Sequence, residues 1–304
     1  MQDIHLNKIA VDPVNLPIFS DNNISADVLR LDKIHPLISG NKWFKLRYYL
    51  DEAIQEGKKR ILTSGGAWSN HILAAAAAGQ LYGFKTTGKI RGEEPAELSP
   101  ILQQAKAMGM ELVFMSRENY GRERRFIEKK RVDLDSSKDL CAIPEGGCGI
   151  KGAEGAATIL EHCTKENYTH ICCAVGTGTM TAGLARGASL TTTIIAVSVL
   201  KNNPEIEKII HALLPGSSYE KRIRLLHDYH FGGYAKHKPE LLDFMNEFYR
   251  QTSIPSDFVY TGKLFYAITD LAAKKYFPTG SRLLLIHSGG LQGNSSLDKG
   301  TLIF

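Results

Sequence analysis

Short apolar runs ending in glycine alternate along this chain with stretches of helical spacing, and that alternation most narrows the folds open to it. "RILTSGG" over 60–66 reads as a strand, and "HILAAAAAGQLYG" over 71–83 as a small-residue helix packed closely on a sheet. The pattern continues through "FKTTGKIRG" (84–92, strand), "AELSPILQQAKAMG" (96–109, helix) and "MELVFMS" (110–116, strand). It resumes with strands "YTHICCAVG" (168–176) and "TTIIAVSVL" (192–200), and with helices over about 179–189 and 204–214. Near the end come "DFVYTG" (257–262) as a strand, a helix over 263–276, and "RLLLIHSGG" (282–290) as a strand. Strands joined through helices form parallel sheets, which must be covered on both faces. The pattern therefore predicts an α/β protein. The region 201–256 is richer in polar and aromatic residues and is expected to be partly irregular, and no internal repeat or low-complexity segment is present.

A chain of 304 residues can form one large domain or two smaller ones, and 43% hydrophobic with 23% charged residues suits a soluble protein with a sizeable core. No apolar run is long enough to span a bilayer. The start, "MQDIHLNKIAVDPVNLPIF", lacks a basic segment leading into an apolar block, so a cytoplasmic enzyme is expected. Net charge is +5, and the densest basic run, "GRERRFIEKKRVD" at 121–133, is interleaved with acids. It reads as a solvated helical face rather than a nucleic-acid site. Cys141, Cys148, Cys163, Cys172 and Cys173 match neither paired zinc hooks nor a redox Cys-x-x-Cys, and are read as buried free thiols. No metal site is expected.

Ligands of open parallel sheets bind beyond the carboxyl ends of strands, where loops lead into helices. "SGNKWFKL" places Lys42 and Lys45 three apart at the start of a predicted helix. They are either ordinary surface lysines or include an amine nucleophile held in a cleft. "SGGAWSNH" sets Ser69, Asn70 and His71 at a helix start, as a plain N-cap or as a holder of a carboxylate. Gly176-Thr177-Gly178-Thr179-Met180-Thr181 lacks the Gly-Lys-Ser/Thr of a Walker loop and the dinucleotide fingerprint. Its glycines and hydroxyls suit an anion cradle at a helix N-terminus. "FVYTGK" and "IHSGG" alone read as strand ends with turns, and "CAIPEGGCGIKGAEG" (141–155) as a glycine-rich connection between domains. A phosphate cradle together with a sequestered lysine suggests a phosphorylated aldehyde cofactor, pyridoxal 5'-phosphate.

The order of these motifs resembles the 1-aminocyclopropane-1-carboxylate deaminase and D-cysteine desulfhydrase family of pyridoxal-phosphate enzymes. "GNKWFKLRYYL", Ser69-Asn70-His71, the 176–181 loop, "VYTGK" at 259–263 and "HSGG" at 287–290 carry the resemblance, which runs from about residue 27 to about 290. It implies the tryptophan synthase β-like fold (fold type II), with two α/β domains and the cofactor between them. The larger, cofactor-binding domain would be 1–45 plus 153–304, and the smaller 46–152. The resemblance further implies that Lys42 carries the cofactor as an aldimine and shuttles a proton. Asn70 would bond the cofactor's phenolic oxygen, and Gly176, Thr177, Gly178, Thr179 and Met180 would hold its phosphate. Ser69 would lie by the substrate carboxylate, Tyr260 by the ring, Ser288 near the ring nitrogen, and Tyr234 by the substrate's reacting carbons. Lys45 would support the site by charge, and the protein would act on a small amino acid as a homodimer.

Departures from the family pattern bear on the substrate. Deaminases resemble "EGK" after "VY" and "LGG" at the end, whereas this chain has Thr261 and Ser288, as the desulfhydrases do. Phe44 stands where the family has arginine, and Trp68 where glutamine is common. The reading that follows is β-elimination from a small D-amino acid such as D-cysteine, giving pyruvate and ammonia. The alternatives are a true cyclopropane deaminase forming 2-oxobutanoate, a non-catalytic phosphometabolite-binding protein, and a Rossmann-type oxidoreductase. The last is weakened by the missing glycine fingerprint after the first strand.

Overall fold

The structure, a computed structural model, describes residues 4–130, 139–163, 167–214 and 216–304. Among them the strands, numbered in chain order, form two sheets. The larger has the order β1 (Val11–Pro13), β2 (Ser25–Arg30), β10 (Arg282–His287), β7 (His170–Val175), β8 (Thr193–Ser198), β9 (Ile223–Leu226). The smaller has the order β5 (Glu111–Met115), β4 (Lys85–Arg91), β3 (Arg60–Gly66), β6 (Leu140–Ala142). All neighbours are parallel except β1, which runs antiparallel to β2. The helices are α1 (Pro17–Ser20), α2 (Asn41–Gln55), α3 (Asn70–Tyr82), α4 (Pro100–Ala107), α5 (Arg117–Lys130), α6 (Ile150–Ala157), α7 (Thr179–Gly187), α8 (Glu205–Ala212), α9 (Pro239–Thr252) and α10 (Thr261–Ala273).

The near-continuous apolar runs of the larger sheet are explained by burial on both faces. Side chains alternate across a strand, so Leu283 and Leu285 of β10 join Leu264, Phe265 and Ile268 of α10 on one face. Leu284 and Ile286 meet Ala153 and Ala156 of α6 and Leu184 of α7 on the other. Each fully buried Leu, Ile or Phe contributes roughly 1.5–3 kcal/mol. Cys172 and Cys173 point to opposite faces, both fully buried, and Cys141 is also buried; Cys148 and Cys163 are only half-buried. Helix α3 lies close against β4, since a side-chain carbon at Gly79 would sit 2.1 Å from Thr86 Cγ2.

In each sheet the strand order reverses once. In the smaller sheet β3, β4 and β5 proceed one way, and β6 returns to the far side of β3. In the larger, β7, β8 and β9 proceed one way and β10 returns to the far side of β7. Such reversals open a crevice beyond the strand ends. The loops there are 67–69 after β3, 143–149 after β6, 176–178 after β7 and 288–290 after β10.

Three sequence expectations need correction. Residues 257–262 form no strand: 258–260 make a turn, and α10 begins at Thr261. The alternating apolar residues mislead there, because the Asp257 carboxylate accepts hydrogen bonds from the Val259, Tyr260 and Thr261 amides and winds the backbone into a helix start. The helix of 96–109 covers only Pro100–Ala107, starting where Ser99 caps Leu102 N. The region 201–256 is partly irregular as expected, with α8 in the place of the helix predicted over 204–214, and it also holds β9 and α9. The antiparallel β1 departs from all-parallel sheets, its short connection to β2 leaving little chain for a crossover. Of the basic run at 121–133, the part to Lys130 lies in α5, and 131–133 fall outside the described residues.

Candidate active site

Lys42 is the second residue of α2, and the turn before it explains its place. Gly40 has φ 63°, and a side-chain carbon there would lie 1.9 Å from the Ser288 carbonyl oxygen. Only glycine allows that approach. The Asn41 amide donates to the same carbonyl at 3.1 Å, so the start of α2 is fastened to the end of β10. Lys42 Nζ donates to Asn41 Oδ1 at 2.8 Å, and Asn41 Nδ2 points to Met180 Sδ at 3.3 Å. Burial, with the like charge of Lys45 added and Asp257 opposing, lowers the Lys42 amine to about 7. The helical turn separates the neighbours: Trp43 stacks on Tyr82, with ring centroids 6.2 Å apart. Phe44 is fully buried in the core beside Ala153 and Ala156 and meets His162 edge-on. Phe44, where the family resemblance has arginine, therefore packs away from the crevice.

Lys45, one turn further, is buried and lies 3.3 Å from Thr177 Oγ1. Burial lowers its amine to about 8. Thr177 Oγ1 in turn donates to Thr179 Oγ1 at 3.2 Å. Gly178, with φ 76°, precedes Thr179 and Met180, the first residues of α7. The unpaired amides of a helix start, two hydroxyls and an ammonium thus converge at one place whose chemistry suits an anion. The Tyr260 ring closes another side: a side-chain carbon at Gly176 would lie 3.3 Å from Tyr260 Cε1. Lys42 Nζ sits 5.9 Å from the centroid of that ring. Tyr234, 41% exposed as a whole residue, stands edge-on to Tyr260 at 6.1 Å, and the two phenols share a hydrogen bond. Burial, reinforced by Tyr234, holds the Tyr260 phenol well above its ordinary value.

Across the crevice Ser69 caps α3, accepting from Ile72 N at 3.4 Å. Asn70 Oδ1 and His71 Nδ1 are buried polar atoms without a protein partner. The Asn70 amide nitrogen would lie 3.0 Å from a side-chain carbon at Gly290, placing α3 against the 288–290 loop. Thr63 Oγ1 donates to Ile143 O at 2.8 Å and so accepts from His71 Nε2 at 2.7 Å, which leaves Nδ1 as an acceptor. Burial, with Lys42 and Lys45 adding, lowers His71 to about 3, and the ring is neutral. Ser288 is buried at the end of β10. The structure thus brings Lys42, Lys45, Ser69, Asn70, Gly176, Thr177, Gly178, Thr179, Met180, Tyr260 and Ser288 around one crevice, with Tyr234 at its open side.

Two residues to which sequence reading gave no role, Asp257 and the Lys263 of the "VYTGK" motif, organise it. Asp257 is fully buried, and both its oxygens are filled: Oδ1 accepts from Thr261 N and Oγ1, and Oδ2 from Val259 N and Tyr260 N. Its capping pattern was readable, had 257–262 not passed for a strand. Lys263 has no exposed surface and donates to the His230 and Gly233 carbonyls. No local signal marks that role.

The donor set fits a phosphorylated pyridine aldehyde. It offers an amine lowered to about 7, an anion cradle at 177–180 with Lys45, and unpartnered polar atoms on Asn70 and His71. The comparisons agree. The family model for pyridoxal-phosphate dependent enzymes matches residues 13–289. A putative 1-aminocyclopropane-1-carboxylate deaminase of Thermotoga maritima is 30% identical over 270 residues, covering 84% of this chain and 85% of that protein. A mitochondrial bifunctional D-cysteine desulfhydrase/1-aminocyclopropane-1-carboxylate deaminase of Arabidopsis thaliana is 28% identical, covering 84% and 70%. The crystal structure of an ACC deaminase homologue superimposes with a TM-score of 0.79 at 26% identity, covering 94% of this chain and 90% of that one. A family match over most of the chain, relatives along most of its length and a crevice that suits the cofactor coincide, and the chain belongs to the pyridoxal-phosphate-dependent enzymes, in the family of 1-aminocyclopropane-1-carboxylate deaminases and D-cysteine desulfhydrases.

Proposed function

We propose that the protein converts a small D-amino acid with a leaving group on its β-carbon, such as D-cysteine, to an oxo acid and ammonia. With D-cysteine, one water is consumed, and pyruvate, ammonia and hydrogen sulfide are released. One observation carries this choice over ring opening. The Thr261 hydroxyl is tied to Asp257 Oδ1 at 2.7 Å, and position 288 is a buried serine. Neither of the two positions that distinguish this chain from the deaminases presents a carboxylate, and the nearby Asp257 carboxylate is filled by four donors. A hydroxyl facing the ring nitrogen suits simple β-elimination.

The bound cofactor supplies an electron-withdrawing ring that weakens the bonds at the substrate's α-carbon. Lys42 would anchor it and, once displaced by substrate, would be the base that takes and returns the α-proton. Lys45, Thr177, Thr179 and the first amides of α7 would hold the phosphate, while the Asn70 side-chain amide, turned with its nitrogen toward the ring, would donate to the phenolic oxygen. Ser69, with only a long bond to Ile72 N, keeps its hydroxyl proton for the substrate carboxylate. Tyr260 would cover the ring, and the Tyr234 phenol would approach the substrate side chain.

The second reading, cyclopropane ring opening, is favoured by the names of the relatives and by the Tyr234–Tyr260 pair. One assay separates the two. With the cofactor-loaded protein, D-cysteine is expected to yield pyruvate and sulfide in equal amounts. No pyruvate from D-cysteine together with 2-oxobutanoate from 1-aminocyclopropane-1-carboxylate would overturn the proposal in favour of the second reading.

A further inference from the structure

The loop between β9 and α9 carries Tyr234 on an unusual backbone. Phe231 and Ala235 each have φ 52°, and Gly232 and Gly233 lie at 97° and 118°. Left-handed conformations at non-glycine residues are unfavourable and persist only where surroundings impose them. Two successive turns form here, Gly233 N donating to His230 O at 3.0 Å and Lys236 N to Gly233 O at 3.2 Å. The Lys263 ammonium donates to those same two carbonyls, each at 2.8 Å. Both carbonyls already accept a backbone amide, so Lys263 is not needed to satisfy them. What it adds is a tie from the start of α10 to both turns at once, with Tyr234 between them. The same stretch of α10 begins directly after Tyr260, so one buried side chain links the backbones that carry the two tyrosines.

We propose that Lys263 is a positioning residue for Tyr234: by holding the His230 and Gly233 carbonyls it sets the Tyr234 phenol edge-on to Tyr260 at the substrate side of the crevice. This deepens the reading above and rests on Tyr234 approaching the substrate. A packing role alone is met by any side chain of the same shape. A positioning role needs the two donors.

The test compares cofactor-loaded wild type with Lys263→Met, which keeps the stem and removes the donors, and with Tyr234→Phe and the double variant. Lys263→Met is expected to retain bound cofactor by its visible absorption and to lower kcat on the order of 10–100-fold. In the Tyr234→Phe background the same change is expected to cost less than about twofold, because the group it positions is gone. Hydrogen exchange of residues 230–236 is expected to quicken about tenfold in Lys263→Met. Lys263→Gln, which keeps an amide donor, is expected to restore part of that protection, and stands in should the Met variant fail to fold. Losses that multiply in the double variant, or unchanged exchange at 230–236, would overturn the proposal. If wild type turns over no amino acid, the reaction assigned above has failed, while the exchange measurement still decides the tie.

Discussion

Helices α2 and α10 each begin at the crevice and each carry a lysine in the first turn, but the two amines are treated differently. Lys42 meets a single uncharged partner, Asn41 Oδ1, and the like charge of Lys45 stands nearby. Lys263 is sealed from solvent and engaged by two carbonyls. Burial lowers both, opposed in each case by Asp257, to about 7 for Lys42 and about 8 for Lys263. Burial is therefore not what distinguishes a reactive amine from a structural one. What differs is the partners: one side-chain oxygen for Lys42 against two backbone carbonyls for Lys263.

The contrast predicts its largest effect at Lys42. Lys42→Ala is expected to lower turnover by at least about 10³-fold, against the smaller loss for Lys263→Met. Borohydride treatment followed by peptide mapping checks the assignment; a reduced cofactor adduct on Lys263 rather than Lys42 in the wild type would reverse the two roles.

Asp257 acts on both helices' lysines and shapes the start of α10. Asp257→Asn replaces one accepting oxygen by a donor facing the Val259 and Tyr260 amides or the Thr261 group. It is expected to destabilise the fold by about 2–3 kcal/mol. Chemical denaturation reads the loss, and an unchanged midpoint would mean that the 257–261 turn is held by other contacts.

The smallest effect is a shift in pH. The neutral amine is the nucleophile, so the rate at which cofactor-free protein captures pyridoxal phosphate should rise with pH and level off through about 7. At pH 6 about a tenth of Lys42 would be neutral. Lys45→Met removes a like charge, which raises the Lys42 value and moves the midpoint upward. Stopped-flow absorbance measures both, and a rate still climbing at pH 9 in the wild type would remove the contrast.

Much of the fold was legible because its signals are local. The runs at 60–66, 168–176 and 282–290 resolve as β3, β7 and β10, since apolar strands ending in glycine read the same in any context. The stretch 257–262 did not, because its apolar alternation was outweighed by one buried carboxylate drawing in three amides. The weak strand β1 and the short β9 carry too few residues for a period to emerge. At the crevice, the loop motifs were visible as motifs. The sealed ammonium of Lys263 was not, because its partners lie 33 and 30 residues away in an irregular loop. Phe44, at a position tied to the substrate by resemblance, proved to face the core.

The sequence by itself determined which segments become strands and helices and which loops carry amines, hydroxyls and glycines. Those properties follow from residue type and spacing over a few positions. Tertiary structure decided the order of the strands, hence the two reversals that bring β3, β6, β7 and β10 to one crevice. It also decided which of two first-turn lysines is held by two backbone carbonyls and which by one side-chain oxygen, and on which side of α2 Phe44 lies. Those outcomes depend on packing between segments far apart in the chain, where no local period carries the information.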